Sequence, residues 1–211
     1  MEIYEPAEDS YLLSNSVKDY LINLINPHNK NKSLSKGKSN IKKIKILDMG
    51  SGSGIQAQTC KDLGFRNILA ADINNEAVKL LKKQKINAIH SNLFSKLYKR
   101  KGDLSGEILV PIRFNLIIFN PPYLPEDKYD KKPDTTAGKK GYELIIKFLK
   151  QAKSHLEKNG KILLLFSSLS NRDVIENTIK KLDFKFKLIN KKRLFFEELF
   201  VYEIYCGALA V

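Results

Sequence analysis

The chain has 211 residues, 43% of them hydrophobic, and a formal net charge of +14. That is enough apolar material for one sizeable core and a single α/β domain, which excludes a disordered tail or a peptide. The longest apolar runs, such as ILLLF at 162–166, are too short to cross a bilayer, and the acidic start MEIYEPAEDS lacks the charge pattern of a signal peptide.

Taken in chain order, the first element expected is a helix from about Pro6 to Ile25, with Leu13, Val17, Leu21 and Leu24 on one face and Pro6 near its first turn. A polar linker follows over 26–40. Strand IKILDM (44–49), helix GIQAQTCKDL (54–63), strand NILAAD (67–72), helix NEAVKLLKKQ (75–84) and short strand INAIH (86–90) come next. A basic insertion at 95–112 precedes strand FNLIIF (114–119). The remainder reads as helix 142–158, strand KILLLFS (161–167), helix 172–182 and two closing strands near 184–190 and 199–205. Strands alternating with helices predict a mostly parallel sheet covered on both faces. The closing pair is joined too closely for a crossover helix, so it is expected to be antiparallel. The chain therefore divides into an N-terminal helical segment (1–25), the linker (26–40) and a Rossmann-like core (41–211), all within one expected domain.

Charge adds less than its size suggests. Only five of the 37 basic residues are Arg, and the Lys residues concentrate in 29–43 and 96–102, which read as solvated loops. Direct nucleic-acid contact by these stretches is the alternative reading. Cys60 and Cys206 are far apart and have no partner at metal-ligand or redox spacing, so free thiols and no metal are expected. The chain is expected to be soluble and cytoplasmic.

Two short stretches carry chemistry. Between the first strand and its helix lies Asp48-Met49-Gly50-Ser51-Gly52-Ser53-Gly54. Glycines there let the backbone turn and approach a ligand, and the helix start offers unpaired N–H groups. The second strand ends in Asp72, 22 residues beyond Gly50, near the spacing at which a carboxylate meets a ribose diol. The carboxylate-GxGxG form resembles motif one of S-adenosylmethionine-dependent methyltransferases.

At the end of the fourth strand stands Asn120-Pro121-Pro122-Tyr123. It resembles the signature of amino-methyltransferases that act on planar nitrogens in adenine, cytosine or glutamine. Such a nitrogen is a poor nucleophile because its lone pair is delocalised. The side-chain oxygen of Asn120 and the carbonyl of Pro121 can each accept one of its N–H groups. The prolines add rigidity without offering competing donors, and the Tyr123 ring can stack on the planar group.

IYEPAEDSYLL (3–13), together with LDMGSGSG, AADIN, SNLF, FNPPY, AGKKG and RLFFEEL, extends the likeness over nearly the whole chain. It resembles the HemK/PrmC-related glutamine methyltransferases, in the archaeal and eukaryotic branch that modifies class 1 release factors. The resemblance implies a class I fold, a Rossmann-like seven-stranded mostly parallel sheet with a C-terminal antiparallel strand. It implies that Ser10 meets the methionine end of S-adenosyl-L-methionine, Gly50, with Asp48, Gly52 and Gly54, lines its approach, Asp72 and Ile73 hold the ribose side, and Asn92 with Leu93 holds the adenine. Asn120 to Tyr123 would hold the acceptor, Asn120 touching cofactor as well. The sequence departs from the family pattern at Asn92, where Asp is common, and at Ala137 in the AGKKG patch. Loop 124–140 suits a lid or peptide-binding rim. The resemblance further implies a protein substrate, a class 1 release factor with a Gly-Gly-Gln motif, and a small zinc-binding activator subunit. Two other readings of the same residues are an adenine methyltransferase acting on DNA or RNA and a non-catalytic cofactor-binding subunit.

Overall fold

The computed structural model describes residues 3–25, 41–103, 106–123 and 141–207. The expected linker 26–40, most of the Lys-rich stretch 29–43, the loop 124–140 and Ala137 lie outside the described residues.

The first helix, α1, runs over Glu8–Ile25 with Glu8 and Asp9 in its first turn, where negative charge suits the positive end of the helix dipole. Leu13, Val17 and Leu21 are fully buried, but Leu24 is 44% exposed, so the expected apolar face ends one turn early. Strand β1 (Ile46–Met49) is followed by α2 (Ile55–Asp62), β2 (Ile68–Asp72), α3 (Asn75–Lys83) and β3 (Ala88–His90). A hairpin of β4 (Tyr98–Asp103) and β5 (Gly106–Pro111) precedes β6 (Phe114–Phe119). The remaining elements are α4 (Glu143–Ala152), β7 (Leu156–Ser167), α5 (Arg172–Lys181), β8 (Phe184–Arg193) and β9 (Glu198–Cys206).

Seven strands form one sheet in the order β3-β2-β1-β6-β7-β9-β8. The five from β3 to β7 are parallel, and β9 runs antiparallel to both β7 and β8. Helices cover both faces, which is why β1 and β6 are nearly unbroken apolar runs. Residues of α1, α2 and α3, among them Leu13, Ala57 and Leu81, fill one core. Ile145 and Phe148 of α4 and Ile175 of α5 fill the other. Strand order reverses between β1 and β6, and in open α/β sheets ligands bind outside the carboxyl ends of the strands at such a point.

Three expectations need correction. The basic insertion is not a loop: Tyr98 to Asp103 pairs antiparallel with Gly106 to Pro111 as a separate two-stranded ribbon. The helix expected over 142–158 stops at Ala152, passes through a short 3-10 turn at Lys153–His155, and gives way to β7 at Leu156. Leu156 pairs with Phe114 and is 3% exposed, so ladder bonds and burial outweigh the helical period of the sequence. Strand boundaries differ elsewhere by up to three residues, most at the end of β8, which runs on to Arg193.

The Gly54 turn shows how the helices lock together. Its φ is +89°, and a Cβ there would fall 2.5 Å from Leu81 Cδ2 on α3. Gly54→Ala is therefore expected to lower unfolding free energy by about 2 kcal/mol, from left-handed backbone strain and overpacking together. Chemical denaturation measures it; a loss below about 0.5 kcal/mol would show that α3 gives way freely.

Candidate active site

Met49 pairs with Phe119, so β1 and β6 end level, and the two motifs that follow them leave the sheet side by side. The glycine turn is tied to β2 by the Gly50 N–H, which donates to the Ala71 carbonyl at 2.7 Å. Gly50 has φ +61°, and a Cβ on it would sit 3.3 Å from the Phe119 ring and 4.0 Å from the Asn120 carbonyl oxygen. Any side chain there would wedge between the turn and the motif after β6. A cavity of about 360 Å³ opens at this point.

Of the residues singled out from the sequence, Ser10, Asp48, Gly50, Gly52, Asp72, Ile73, Asn92, Leu93, Asn120, Pro121, Pro122 and Tyr123 all line the cavity. Gly54 is not among the lining residues; its missing side chain makes room for Leu81 of α3. Tyr4, Asp9, Gln56 and Leu144 are not among the residues singled out from the sequence, and all four line the cavity. The described lining contains three carboxylates, Asp9, Asp48 and Asp72, and no Lys, Arg or His. That charge balance suits a cationic small molecule.

Asp72 is held by the backbone around it. Its Oδ2 accepts from the Gly52 N–H at 2.8 Å and its Oδ1 from the Asn74 N–H at 2.7 Å. The carboxylate thus fixes the glycine turn to the end of β2, and each oxygen keeps a further lone pair for a ligand hydroxyl. Leu93 adopts φ +48°, its carbonyl accepting from Ser91 Oγ at 2.7 Å, which sets the floor beside Asn92.

Asp48 is 1% exposed, and its Oδ2 accepts from the Ala57 N–H in the first turn of α2 at 3.0 Å. Burial pushes its pKa up to about 7 from an ordinary 3.8; the Ala57 N–H opposes the rise and Asp72 adds to it. The folded form therefore holds the proton more tightly than the unfolded chain, and stability from this group declines as pH rises through that window. Asp48→Asn keeps an acceptor for Ala57 and removes the charge. The variant is expected to lose less thermal stability than wild type between about pH 5 and about pH 8. Parallel melting curves at the two pH values test this, and equal losses in both proteins would count against it.

The most pointed geometry joins the first helix to the motif after β6. Asn120 Nδ2 donates to Asp9 Oδ2 at 2.8 Å, while Asp9 Oδ1 accepts from Tyr4 Oη at 3.1 Å and from Ser10 Oγ at 3.3 Å. Asp9 is 4% exposed. A carboxylate accepts and does not donate, so it fixes which end of the Asn120 amide faces it. The other end, Oδ1, is buried without a partner. A buried acceptor left unpaired is costly unless a ligand completes it. Burial first, and then Asp9, raise the hydroxyl pKa of both Tyr4 and Tyr123, so neither serves as a base. The Tyr123 carbonyl accepts from Ser170 Oγ at 2.9 Å, which anchors the end of the motif to the turn after β7.

Residues 33–193 match the family model described as methyltransferase small domain. A Methanocaldococcus jannaschii protein that carries the provisional name protein N5-glutamine methyltransferase is 34% identical over 95% of this chain and 90% of its own length. A release factor glutamine methyltransferase of Fusobacterium nucleatum is 38% identical over 40% of this chain, which spans only 23% of that protein. Among solved structures, a chain of the E. cuniculi Mtq2-Trm112 complex, which methylates the eRF1 translation termination factor, superposes with a TM-score of 0.66 at 17% identity. It covers 98% of this chain and 100% of its own.

Fold, family and cavity together define a class I methyltransferase that uses S-adenosylmethionine. The chain belongs to the methyltransferase small domain family and, within it, to the HemK/PrmC-related glutamine methyltransferases. No helix among the described residues is long and apolar enough to cross a membrane.

Proposed function

We propose that this enzyme methylates the side-chain amide of a glutamine in a protein, the Gly-Gly-Gln motif of a class 1 release factor. The observation that carries the reading is the buried, unpartnered Oδ1 of Asn120 at the cavity wall, with its Nδ2 committed to Asp9. That oxygen is an acceptor waiting for an N–H, and a primary amide presents two. The names of the M. jannaschii and F. nucleatum relatives point the same way.

The residues present fit the cofactor: an acidic, glycine-floored cavity at the switch point suits a cationic nucleoside. Asp72 and Ile73 would hold the ribose side, Asn92 and Leu93 the adenine, and Ser10 the methionine end, with Asp48, Gly50 and Gly52 lining the approach. When bound, S-adenosylmethionine supplies an electrophilic methyl group on positively charged sulfur. The chain's own part is positioning and fixed-dipole stabilisation. Asn120 Oδ1 and the Pro121 carbonyl accept the two amide hydrogens, which turns the nitrogen toward the cavity and lowers the energy of positive charge developing on it. Pro121 and Pro122 stiffen the backbone that carries both acceptors. Tyr123 stacks on the amide plane, its hydroxyl kept protonated by burial and by Asp9.

The partners in this reading are the release factor and a small zinc-binding subunit that activates the enzyme; the Mtq2-Trm112 complex supports a partner subunit in general terms. The test is transfer of labelled methyl to a class 1 release factor, to the same factor with its acceptor glutamine replaced, and to unmethylated DNA and RNA, with and without such a subunit. Label confined to the intact release factor is expected. Label in nucleic acid alone would move the assignment to adenine while leaving the amide-binding chemistry of Asn120 in place.

A further inference from the structure

The turn between β8 and β9 carries two features that the fold does not need. Phe195 and Phe196 are 91% and 85% exposed, packed edge-on with ring centres 4.5 Å apart, whereas the nine other Phe residues are buried or half-buried. The turn is closed by the Leu194 N–H donating to the Glu197 carbonyl at 2.8 Å, so the two rings stand at its tip. Beside them, Glu197 Oε2 is buried with no hydrogen-bond partner. Both arrangements cost free energy in the isolated chain, one by leaving large apolar area in water and the other by desolvating an acceptor without pairing it.

Their position gives them a use. The 3-10 turn Ser168–Ser170 reaches both sides: Ser168 Oγ accepts from the Glu198 N–H at 3.0 Å, and Ser170 Oγ donates to the Tyr123 carbonyl at 2.9 Å. Lys192, near the end of β8, pairs with Glu8, the neighbour of Asp9. The turn is thus fastened to the same edge of the cavity as Asn120 to Tyr123. Electrostatics agree, since Glu197 adds to the rise in the hydroxyl pKa of Tyr4 and Tyr123 behind burial and Asp9.

The chemistry at this edge selects among partners. Stacked bases could use the two rings, but a nucleic acid would bring phosphates toward the carboxylates of Glu197 and Asp9. Lys191 and Lys192, which precede the turn, pair with Glu198 and Glu8. A polypeptide offers what is missing: main-chain N–H donors for an unpaired carboxylate oxygen and apolar side chains for exposed rings.

Building on the protein-methyltransferase reading above, we infer that the β8–β9 turn is the docking element for the polypeptide that carries the acceptor amide. Phe195 and Phe196 cover its apolar side chains, and Glu197 Oε2 accepts a main-chain N–H from the acceptor segment. The element sets acceptor affinity and takes no part in methyl transfer itself.

Steady-state kinetics on the intact enzyme, with its activator if one is required, test this using an intact release factor and a short peptide bearing the same acceptor motif. Phe195→Ser with Phe196→Ser is expected to raise KM for the intact factor about tenfold or more, with kcat and cofactor affinity unchanged. The short peptide should lose much less. Glu197→Leu should raise KM for both acceptors, and Glu197→Gln, which keeps an oxygen acceptor, should restore most of it. Unchanged KM in these variants overturns the inference while leaving the protein-methyltransferase reading intact, and so does a matching fall in cofactor affinity, which would make the turn structural. Wild-type enzyme that labels RNA or DNA and no protein overturns both readings.

Discussion

Asn120→Ala is expected to lower methyl transfer by about a thousandfold, the upper end of the range for removing one pre-aimed hydrogen-bonding group from a catalytic site. The reason lies in what the substitution takes away. Asn120 lines the cavity and its Oδ1 is buried and unpartnered, so a hydrogen bond to the acceptor displaces no existing one. Alanine removes that acceptor and leaves the Pro121 carbonyl to hold the amide alone. The loss should fall on kcat, because the bond strengthens as positive charge grows on nitrogen and adds less to ground-state binding. Cofactor affinity should stay within about tenfold of wild type, since Asp72, the glycine turn and the Asn92–Leu93 floor are untouched. Single-turnover kinetics with a calorimetric measure of cofactor binding separate the two effects. Transfer within about tenfold of wild type would mean that Asn120 is not the acceptor clamp.

What the sequence made legible was local. The glycine turn, Asp72 and Asn120 to Tyr123 each sit in a contiguous stretch whose residue types answer to one physical need, and the alternation of strands and helices placed all three at the carboxyl edge of a parallel sheet. What it hid was tertiary. Gly54 reads like its neighbours Gly50 and Gly52, yet only the packing of α3 shows that its missing side chain accommodates Leu81. The β4–β5 ribbon was obscured by its charges: Lys99, Arg100 and Lys101 read as solvated loop, while the alternation that would mark a strand is weak because Ile108 and Leu109 opposite them are both exposed. The end of α4 followed the same rule, since AKSHLEK continues a helical period and only pairing with Phe114 draws Leu156 into the sheet. Glu197 and the two exposed rings were visible as part of RLFFEEL, but nothing local indicates that the turn closes beside Tyr123.

The second large effect belongs to Asp9, 111 residues from the group it controls. Asp9→Ala is expected to lower kcat about a hundredfold with little change in cofactor affinity. Asp9 does not need to touch the acceptor to matter, because it decides which way the Asn120 amide points. With its carboxylate gone, Nδ2 loses the acceptor that holds it, the amide rotates freely, and a large share of molecules present a donor where an acceptor is required. Tyr4 and Ser10, which donate to the same carboxylate, lose their target as well, so the wall that joins α1 to the motif loosens. Asp9→Asn distinguishes orientation from charge. Its side-chain oxygen can still accept from Asn120 Nδ2, so activity within about tenfold of wild type is expected if orientation is the role. The loss of negative charge in the first turn of α1 is common to both variants and costs each about 0.5 kcal/mol of stability, too little to explain a hundredfold difference in rate between them. Equal loss of kcat in the Ala and Asn variants would assign the effect to charge instead, and equal retention would show that the Asn120 amide is oriented without Asp9.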